Sequence, residues 1–360
     1  MKLIRIAVVP GDGIGPELSN VTLEVLTEAA SSFKDRLKLD FVERNIGYDV
    51  FQETGIYVED HGVKHGGVSE EILKCYDSTN AMLYVATSGG SLPEGFLSPF
   101  PVVRRRYGIF ANVRPAKTLP GIFSIKPDID LVLVREQTEG LWMGRETGKE
   151  NEVIRAEVTV SRKATEKLAR FSFELARSRN RLKKVVCVHK SNVLPKAFGL
   201  FVNVFTEVSR DYPDCSLVDM HTDVLPYELI AAPEKLDVIA TTNMYGDAIS
   251  GEVAGICGGL GIAPSGEYGT DYAIFRPVHG SAPDLKGKNV ANPIGTILSA
   301  AMMMDWLGNR HDSPEACHIA GSMRLAVESV LKEGKCMTPD MGGTDSTTSI
   351  AKAIINALKQ

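Results

Sequence analysis

The sequence predicts an α/β fold with a largely parallel central sheet, and three observations carry that prediction. Short apolar runs alternate with amphipathic stretches along the chain. The apolar runs, at 4–9, 81–86, 131–134, 184–188, 216–220 and 238–242, have strand length. Polar groups stand just after such runs, among them Asp12, Thr87, Arg135, His189, Lys190, Asp223 and Asp247. Open α/β sheets collect ligands at the carboxyl ends of their strands, so these groups mark one chemically active edge.

The first run leads into Gly11-Asp12-Gly13-Ile14-Gly15-Pro16-Glu17. A helix is predicted over 14–30, where Ile14, Leu18, Val21, Val25 and Ala29 recur at steps of three and four. Pro16 suits a helix start. It also occupies the place where G-x-G-x-x-G needs its third glycine, so the standard Rossmann fingerprint fails, and no P-loop Lys-Ser/Thr follows. The Gly/Pro/Ser-rich segment 88–101 reads as a loop covering a site. Further helices are predicted at 164–178, 196–210, 294–307 and 346–358. The glycine- and proline-rich 275–293 is expected to be a long binding loop. With no linker, repeat or low-complexity stretch, two lobes sharing one core are expected.

Composition narrows the function. The 360 residues are 44% hydrophobic and 24% charged, with a formal charge of −5, so no global basic field recruits nucleic acid or an anionic membrane. Arg104-Arg105-Arg106 is a local basic run, most simply a solvated face. Cysteines 75, 187, 215, 257, 317 and 336 form no CxxC pair, which argues against a zinc ribbon or disulfide framework. No apolar run approaches the ~20 residues of a membrane span, and the amino-terminal run is too short for a signal segment. A soluble, cytoplasmic protein is expected.

Three arginines, 104, 114 and 135, lie on different predicted elements. Guanidinium forks bind carboxylates at two points, so their convergence would suit a di- or tricarboxylate, and their dispersal would mean surface ion pairs. Lys190 follows a strand and is either a desolvated general base or a surface lysine. Asp223 and Asp247 have no His/Cys cluster beside them and suit a hard ion such as Mg²⁺ or Mn²⁺, with helix capping the alternative for Asp247.

In order along the chain, "PGDGIGPE", "ANVRPAK", "VREQTEG", "HKSNVL", "TTNMYGD", "GGLGIAPSG" and "HGSAPD…ANP" together resemble the β-decarboxylating dehydrogenases acting on isocitrate, 3-isopropylmalate, homoisocitrate, tartrate or D-malate. The resemblance implies the two-lobed isopropylmalate/isocitrate dehydrogenase-like fold. It gives a cofactor-side lobe from 1–109 and 259–360, and a middle lobe, 110–258, with the homodimer interface and the metal and catalytic residues. It implies NAD-dependent, Mg²⁺- or Mn²⁺-assisted oxidation and decarboxylation of a 3-substituted malate. Arg104, Arg114 and Arg135 match substrate-carboxylate positions, and Ser98 matches a serine of isocitrate enzymes. Lys190 matches the catalytic lysine, and Asp223 and Asp247 match metal ligands, with Lys190 and Asp223 crossing the dimer. Thr87, Asn192, His279, Gly280, Ser281, Ala282, Asp284 and Asn292 match cofactor-side positions. Asp284 matches the acid that accepts ribose hydroxyls, which favours NAD⁺ over NADP⁺.

Four departures stand out against this pattern. Trp142 occupies the place of a tyrosine that delivers a proton, and an indole N–H is not such an acid near neutral pH. Gly251 replaces a carboxylate four residues beyond Asp247, with Glu252 beside it. Arg276 replaces a glutamate, and "TDVLPYEL" replaces a "D-N/A-x-x-M-Q" pattern. Tyr227, four residues beyond Asp223, is a candidate substitute acid if the segment is helical. The departures also suit a non-catalytic, regulatory ligand-binding paralogue, or oxidation without efficient decarboxylation.

Overall fold

The computed structural model describes residues 1–88 and 96–360. Residues 89–95 of the predicted covering loop at 88–101 lie outside the described residues, and its last part starts a helix at Phe100. The amino-terminal portion contains β1 (Lys2–Gly11), α1 (Gly15–Ala30), β2 (Leu37–Glu43), α2 (Tyr48–Thr54), β3 (Tyr57–Asp60), β4 (Val63–Gly66), α3 (Glu70–Asp77), β5 (Ala81–Ala86) and α4 (Phe100–Arg106). The middle contains β6 (Ala111–Lys117), β7 (Asp130–Glu136), β8 (Glu146–Lys149), β9 (Val153–Ala156), α5 (Arg162–Arg179), β10 (Lys184–His189), α6 (Ala197–Ser209), β11 (Ser216–His221), α7 (Leu225–Ala231), β12 (Val238–Thr241) and α8 (Asn243–Gly255). The remainder contains β13 (Pro264–Tyr268), β14 (Ala273–Pro277), α9 (Ile294–Arg310), α10 (Pro314–Glu333) and α11 (Thr347–Leu358). Two compact units result. Unit 1 is Met1–Gly108, Leu119–Ile122 and Gly259–Gln360, and unit 2 is Ile109–Thr118 and Phe123–Gly258.

In unit 1 the strands run β13-β14-β5-β1-β2. β1 pairs in parallel with β2 and β5, β14 in parallel with β5, and β13 antiparallel to β14. Helices cover the sheet, so Ile6, Ala7, Val8 and Val9 are all buried instead of alternating in and out. The stripe predicted for α1 is the buried one: Leu18, Val21, Val25 and Ala29 join Ile297, Met304 and Val327 in one core. Truncating a residue such as Leu18 to alanine would cost about 2–5 kcal/mol.

The turn that fails as a Rossmann fingerprint still needs its glycines. Gly13 has φ +59°, and a Cβ there would lie 2.0 Å from the Ser281 carbonyl oxygen. Ile14 N–H donates to that oxygen at 2.9 Å. The glycine therefore brings the 278–293 loop against the start of α1.

Unit 2 has the strand order β11-β10-β12-β7-β6. The β11–β10, β10–β12 and β12–β7 pairs are parallel, and β6–β7 is antiparallel with Asn112 opposite Arg135. Leu131, Leu133, Val186, Val188, Leu229 and Ile239 form its core. Helix α5 starts where the Ser161 hydroxyl accepts from Ala164 N–H at 3.2 Å, and ends at Asn180 in the left-handed region. The β8–β9 hairpin is exposed along both strands.

Arg114 lies in β6, where Pro115 pairs with Val132 in an extended strand. Two local expectations are corrected. Asp247 lies inside α8, whose cap residue is Thr242, so it does not cap the helix. The long loop begins at Val278, because 275–277 belong to β14, held by antiparallel pairing to β13. No helix among the described residues is long and apolar enough to cross a membrane.

Candidate active site

Arg135 is the penultimate residue of β7 and is 2% exposed. Its Nη1 pairs with Asp247, and Nη2 donates to Asn243 Oδ1 at 2.7 Å. Asn243 in turn donates to the Glu136 carbonyl at 2.9 Å. Helix α8 passes close to this arginine because residue 246 is glycine: a Cβ there would lie 2.7 Å from Arg135 Cγ. Arg114 stands beside the same carboxylate, with Nη2 3.9 Å from Asp247 and Nε donating to Asn112 Oδ1 at 2.7 Å.

Local chemistry explains where Trp142 goes. The buried Glu136 carboxylate accepts from Thr138 N–H at 2.6 Å and Glu139 N–H at 3.0 Å, and also from the Thr138 hydroxyl. Burial pushes the Glu136 carboxyl pKa up, and these hydrogen bonds oppose the rise. Glu139 holds Ser161 N–H at 2.8 Å, and Gly140, at φ +83°, donates to the Thr159 carbonyl at 3.1 Å. The chain is thereby folded into a 3₁₀ turn, Gly140–Met143, whose indole lies 5.0 Å over the Arg135 guanidinium. Trp142 thus stacks on the very arginine that begins its motif.

At the end of β10, Lys190 Nζ pairs with Asp223, and that hydrogen bond holds the Asp223 carboxyl below its ordinary range. The preceding His189 is buried. Ser191 N–H donates to its Nδ1 at 3.2 Å, so Nε2 carries the hydrogen and donates to Asp219 at 2.6 Å. Asn192 is exposed in the turn after Lys190. Tyr227 is 67% exposed, and α7 begins only at Leu225, so Asp223 precedes the helix and does not share its face.

Asp223 and Asp247 are the right donors for a hard cation, and both are accessible, at 64% and 49% side-chain exposure. Among the described residues no three His, Cys, Asp or Glu side chains of one chain cluster as a metal site. A Cβ on Gly251 would meet nothing within 4 Å, so α8 has room for a carboxylate that this sequence does not supply. Burial raises the pKa of neighbouring Glu252.

In unit 1, Arg104 is buried. Its Nε and Nη2 donate to the two carboxylate oxygens of Glu267, 1% exposed, each at 2.7 Å. The basic run is therefore not one solvated face: Arg105 pairs with Asp60, and Arg106 with Asp77 and Glu70. Arg276 donates from Nη2 to the Thr87 hydroxyl at 2.8 Å. The guanidinium carbons of Arg104 and Arg276 lie 4.2 and 4.8 Å from the Phe100 ring centroid. Ser98 Oγ accepts from Phe100 N–H at 3.3 Å.

On the 278–293 loop, Ser281 is buried, Gly280 is exposed, and Ala282 takes φ +37° before a short turn carrying an exposed Asp284. The buried Nε2 of His279 has no hydrogen-bond partner among the described residues. Burial lowers the His279 pKa, so the imidazole is neutral near pH 7. A buried nitrogen without a partner is the kind of group a bound ligand can satisfy. Asn292 is structurally committed, donating to Asp340 at 3.0 Å and accepting from Ile294 N–H at 3.0 Å. Asn243, Gly246 and Glu267 were not singled out from sequence. The first two lie within the quoted motif "TTNMYGD", which was the available signal.

Known proteins match this chain along nearly its whole length. A model of the isocitrate/isopropylmalate dehydrogenase family matches residues 5–355. An isocitrate/homoisocitrate dehydrogenase of Thermus thermophilus is 41% identical over 99% of this chain and 98% of its own. A 3-isopropylmalate dehydrogenase of Archaeoglobus fulgidus is 39% identical over 98% and 99%. The crystal structure of isocitrate dehydrogenase from Methylococcus capsulatus superposes with a TM-score of 0.88 at 31% identity, covering 99% of this chain and all (100%) of that one. The chain belongs to the isocitrate/isopropylmalate dehydrogenase family.

Proposed function

We propose that the chain catalyses oxidative decarboxylation of a 3-substituted (R)-malate, of isocitrate, 3-isopropylmalate or homoisocitrate type, using NAD⁺ and Mg²⁺ or Mn²⁺. One observation carries the reading: Arg135 is buried at a strand end, gripped by Asn243 and Asp247, with Arg114 beside it. Folding alone has no use for two guanidinium groups around one helix carboxylate. A pre-aligned fork of this kind binds a carboxylate with little reorganisation.

In this reading Arg114 and Arg135 hold substrate carboxylates. Arg104 contributes N–H donors other than the two Glu267 takes. Lys190 would accept the substrate's hydroxyl proton, and a bound NAD⁺ would supply the hydride acceptor. Cleavage of the carbon–carboxylate bond then leaves its electron pair on the substrate, and a proton is added there after CO₂ departs. Asp247 and Asp223 would hold the cation, which supplies charge stabilisation for the oxygens of the oxidised substrate. Two copies of the chain would complete the set, with Lys190 and Asp223 contributed across a homodimer. His279, Gly280, Ser281, Ala282, Asp284 and Asn292 would form the adenosine side, Thr87 and Asn192 the nicotinamide side. An exposed Asp284 would repel the 2′-phosphate of NADP⁺.

A specific observation favours a second reading. Trp142 covers Arg135 with a ring that cannot deliver a proton, and Gly251 leaves the helix one carboxylate short. Oxidation without efficient decarboxylation follows from the first feature, and a regulatory ligand-binding role from both. The test is a panel of isocitrate, homoisocitrate, 3-isopropylmalate, tartrate and D-malate with NAD⁺ or NADP⁺ and Mg²⁺ or Mn²⁺. NAD⁺ reduction with CO₂ release from a 3-substituted malate supports the proposal, and reduction without CO₂ supports oxidation alone. Binding by calorimetry with no reduction of either cofactor rejects it in favour of the regulatory role.

A further inference from the structure

His189 closes β10 and is 1% exposed, and no step described above uses its ring. Register explains what the ring meets. Strands β10 and β11 run parallel with His189 opposite His221, and alternate residues of a strand share a face. Asp219 and His221 therefore both stand on the ring's side of the sheet. The two imidazoles meet edge to face, with centroids 5.2 Å apart. Asp219 takes the Nε2 hydrogen at 2.6 Å and is itself 60% exposed, so a solvated carboxylate on β11 orients a buried ring on β10.

The other ring nitrogen faces the turn that carries Lys190. Ser191 N–H, which donates to Nδ1 at 3.2 Å, belongs to the peptide group joining Lys190 to Ser191. The carbonyl of that same group accepts from Val193 N–H at 3.0 Å and Leu194 N–H at 3.1 Å. One rigid peptide plane is thus held at its donor and at its acceptor, which constrains the direction in which the Lys190 side chain leaves the main chain. The His189 carbonyl accepts from Thr222 N–H at 2.9 Å, so the same residue also ties down the chain one position before Asp223, the partner of Lys190 Nζ. Only one form of the neutral imidazole permits this set. With the hydrogen on Nδ1, donor would face donor at Ser191 and Asp219 would face a bare nitrogen.

We propose that His189 is the positioning residue for Lys190, and that Asp219 acts through it by holding the imidazole in the tautomer that accepts from Ser191. Lysine carries its charge on a flexible four-carbon stem, so the base meets one particular hydroxyl only if the stem starts from a fixed point. This rests on the proposed dehydrogenase reading, in which Lys190 is the base.

The experiment compares wild type with His189→Leu, His189→Gln, His189→Asn and Asp219→Ala, on the substrate that wild type oxidises fastest. Steady-state kinetics, calorimetric substrate binding and melting temperature are measured, and the wild-type tautomer is read from isotope-labelled histidine nitrogen resonances. Asparagine places Oδ1 two bonds from Cβ, as Nδ1 is, and can accept from the N–H two residues on in an Asx-turn. Glutamine instead keeps a donor for Asp219 and supplies no acceptor at the Nδ1 position. His189→Leu and His189→Gln are expected to lower kcat about a hundredfold with substrate KM within about twofold, the pattern of a displaced base. His189→Asn is expected to recover kcat to within about fivefold of wild type, because it restores the Ser191 bond. Asp219→Ala is expected to lower kcat about threefold in wild type and to have no further effect in His189→Asn. A histidine that only filled the core would give the opposite order, with leucine, the better space-filler, more active than asparagine. The proposal is overturned if folded His189→Leu keeps wild-type kcat, if asparagine rescues no better than glutamine, or if Nδ1 carries the hydrogen in wild type. Wild type that oxidises no substrate of the panel removes the dehydrogenase reading and the positioning role with it. Wild type that turns over while His189→Leu matches it removes the positioning role alone.

Discussion

Glu267→Gln is the substitution whose cost the structure sets most clearly. Glu267 and Arg104 exchange two hydrogen bonds of 2.7 Å, and both side chains are buried, at 1% and 8% residue exposure. An amide keeps one acceptor and turns an NH₂ toward the second guanidinium N–H, where donor faces donor. The Arg104 charge stays buried with its counter-charge gone. Breaking a buried pair from one side costs roughly 3–5 kcal/mol, and the retained bond argues for the lower end, about 3 kcal/mol. The two tryptophans allow the assay to be local. Trp306 lies in unit 1 with its ring 6.2 Å from Phe275 on β14, beside the strand that bears Glu267, while Trp142 lies in unit 2. In a Trp142→Phe background, urea unfolding followed by Trp306 fluorescence should shift by about 3 kcal/mol in Glu267→Gln. The unit 2 transition, read from Trp142 in a Trp306→Phe background, should stay in place. Replacing both partners, as Arg104→Met with Glu267→Leu, should recover most of the loss, because no buried charge remains. A Glu267→Gln transition within about 0.5 kcal/mol of wild type would refute the buried-pair argument.

Other outcomes follow from the same geometry. Trp142→Ala removes the ring over Arg135 and should weaken substrate binding about fivefold, the scale of a half-exposed cation–π contact, while Trp142→Phe retains most of it; substrate quenching of Trp142 fluorescence gives the wild-type affinity for comparison. Gly251→Asp fills open space on α8 four residues beyond Asp247, and should raise Mn²⁺ affinity about tenfold by paramagnetic resonance titration; unchanged affinity would remove Asp247 from the proposed metal site. Burial lowers the His279 pKa below 6.5, so the folded state binds fewer protons than the unfolded one. Its stability contribution is therefore present above pH 6.5 and lost as pH falls from there through the folded pKa. Acid unfolding of unit 1 should be shallower in His279→Gln, and KM for NAD⁺ should be flat above pH 6.5 in wild type.

How much of this could be read from the sequence depends on whether the cause is local. The stripe Leu18, Val21, Val25 and Ala29 is a property of consecutive turns, and α1 appears within one residue of its predicted start. The runs at 131–134 and 184–188 became β7 and β10, each lengthened by polar residues that the sheet edge buries: Arg135 and Glu136 in one, His189 in the other. Strand β13 was missed because Ser265, Gly266 and Glu267 look like surface, and Glu267 is buried only because Arg104 meets it across 163 positions of sequence. The motif residues Arg135 and Asp247 were legible singly. Their mutual pairing depends on α8 sliding over β7 at Gly246, a contact between distant segments. Trp142 was legible as an oddity, and its place over Arg135 depends on hydrogen bonds that Glu136 makes within its own turn.

Product stoichiometry tests the central claim most directly. NADH and CO₂ are measured together, from the substrate that the panel selects, with Mg²⁺ or Mn²⁺ present. An oxidative decarboxylase gives equal amounts of both, and Lys190→Met abolishes both together. NADH accumulating with an intact β-keto acid and no CO₂, or ligand binding with neither product, would contradict the account.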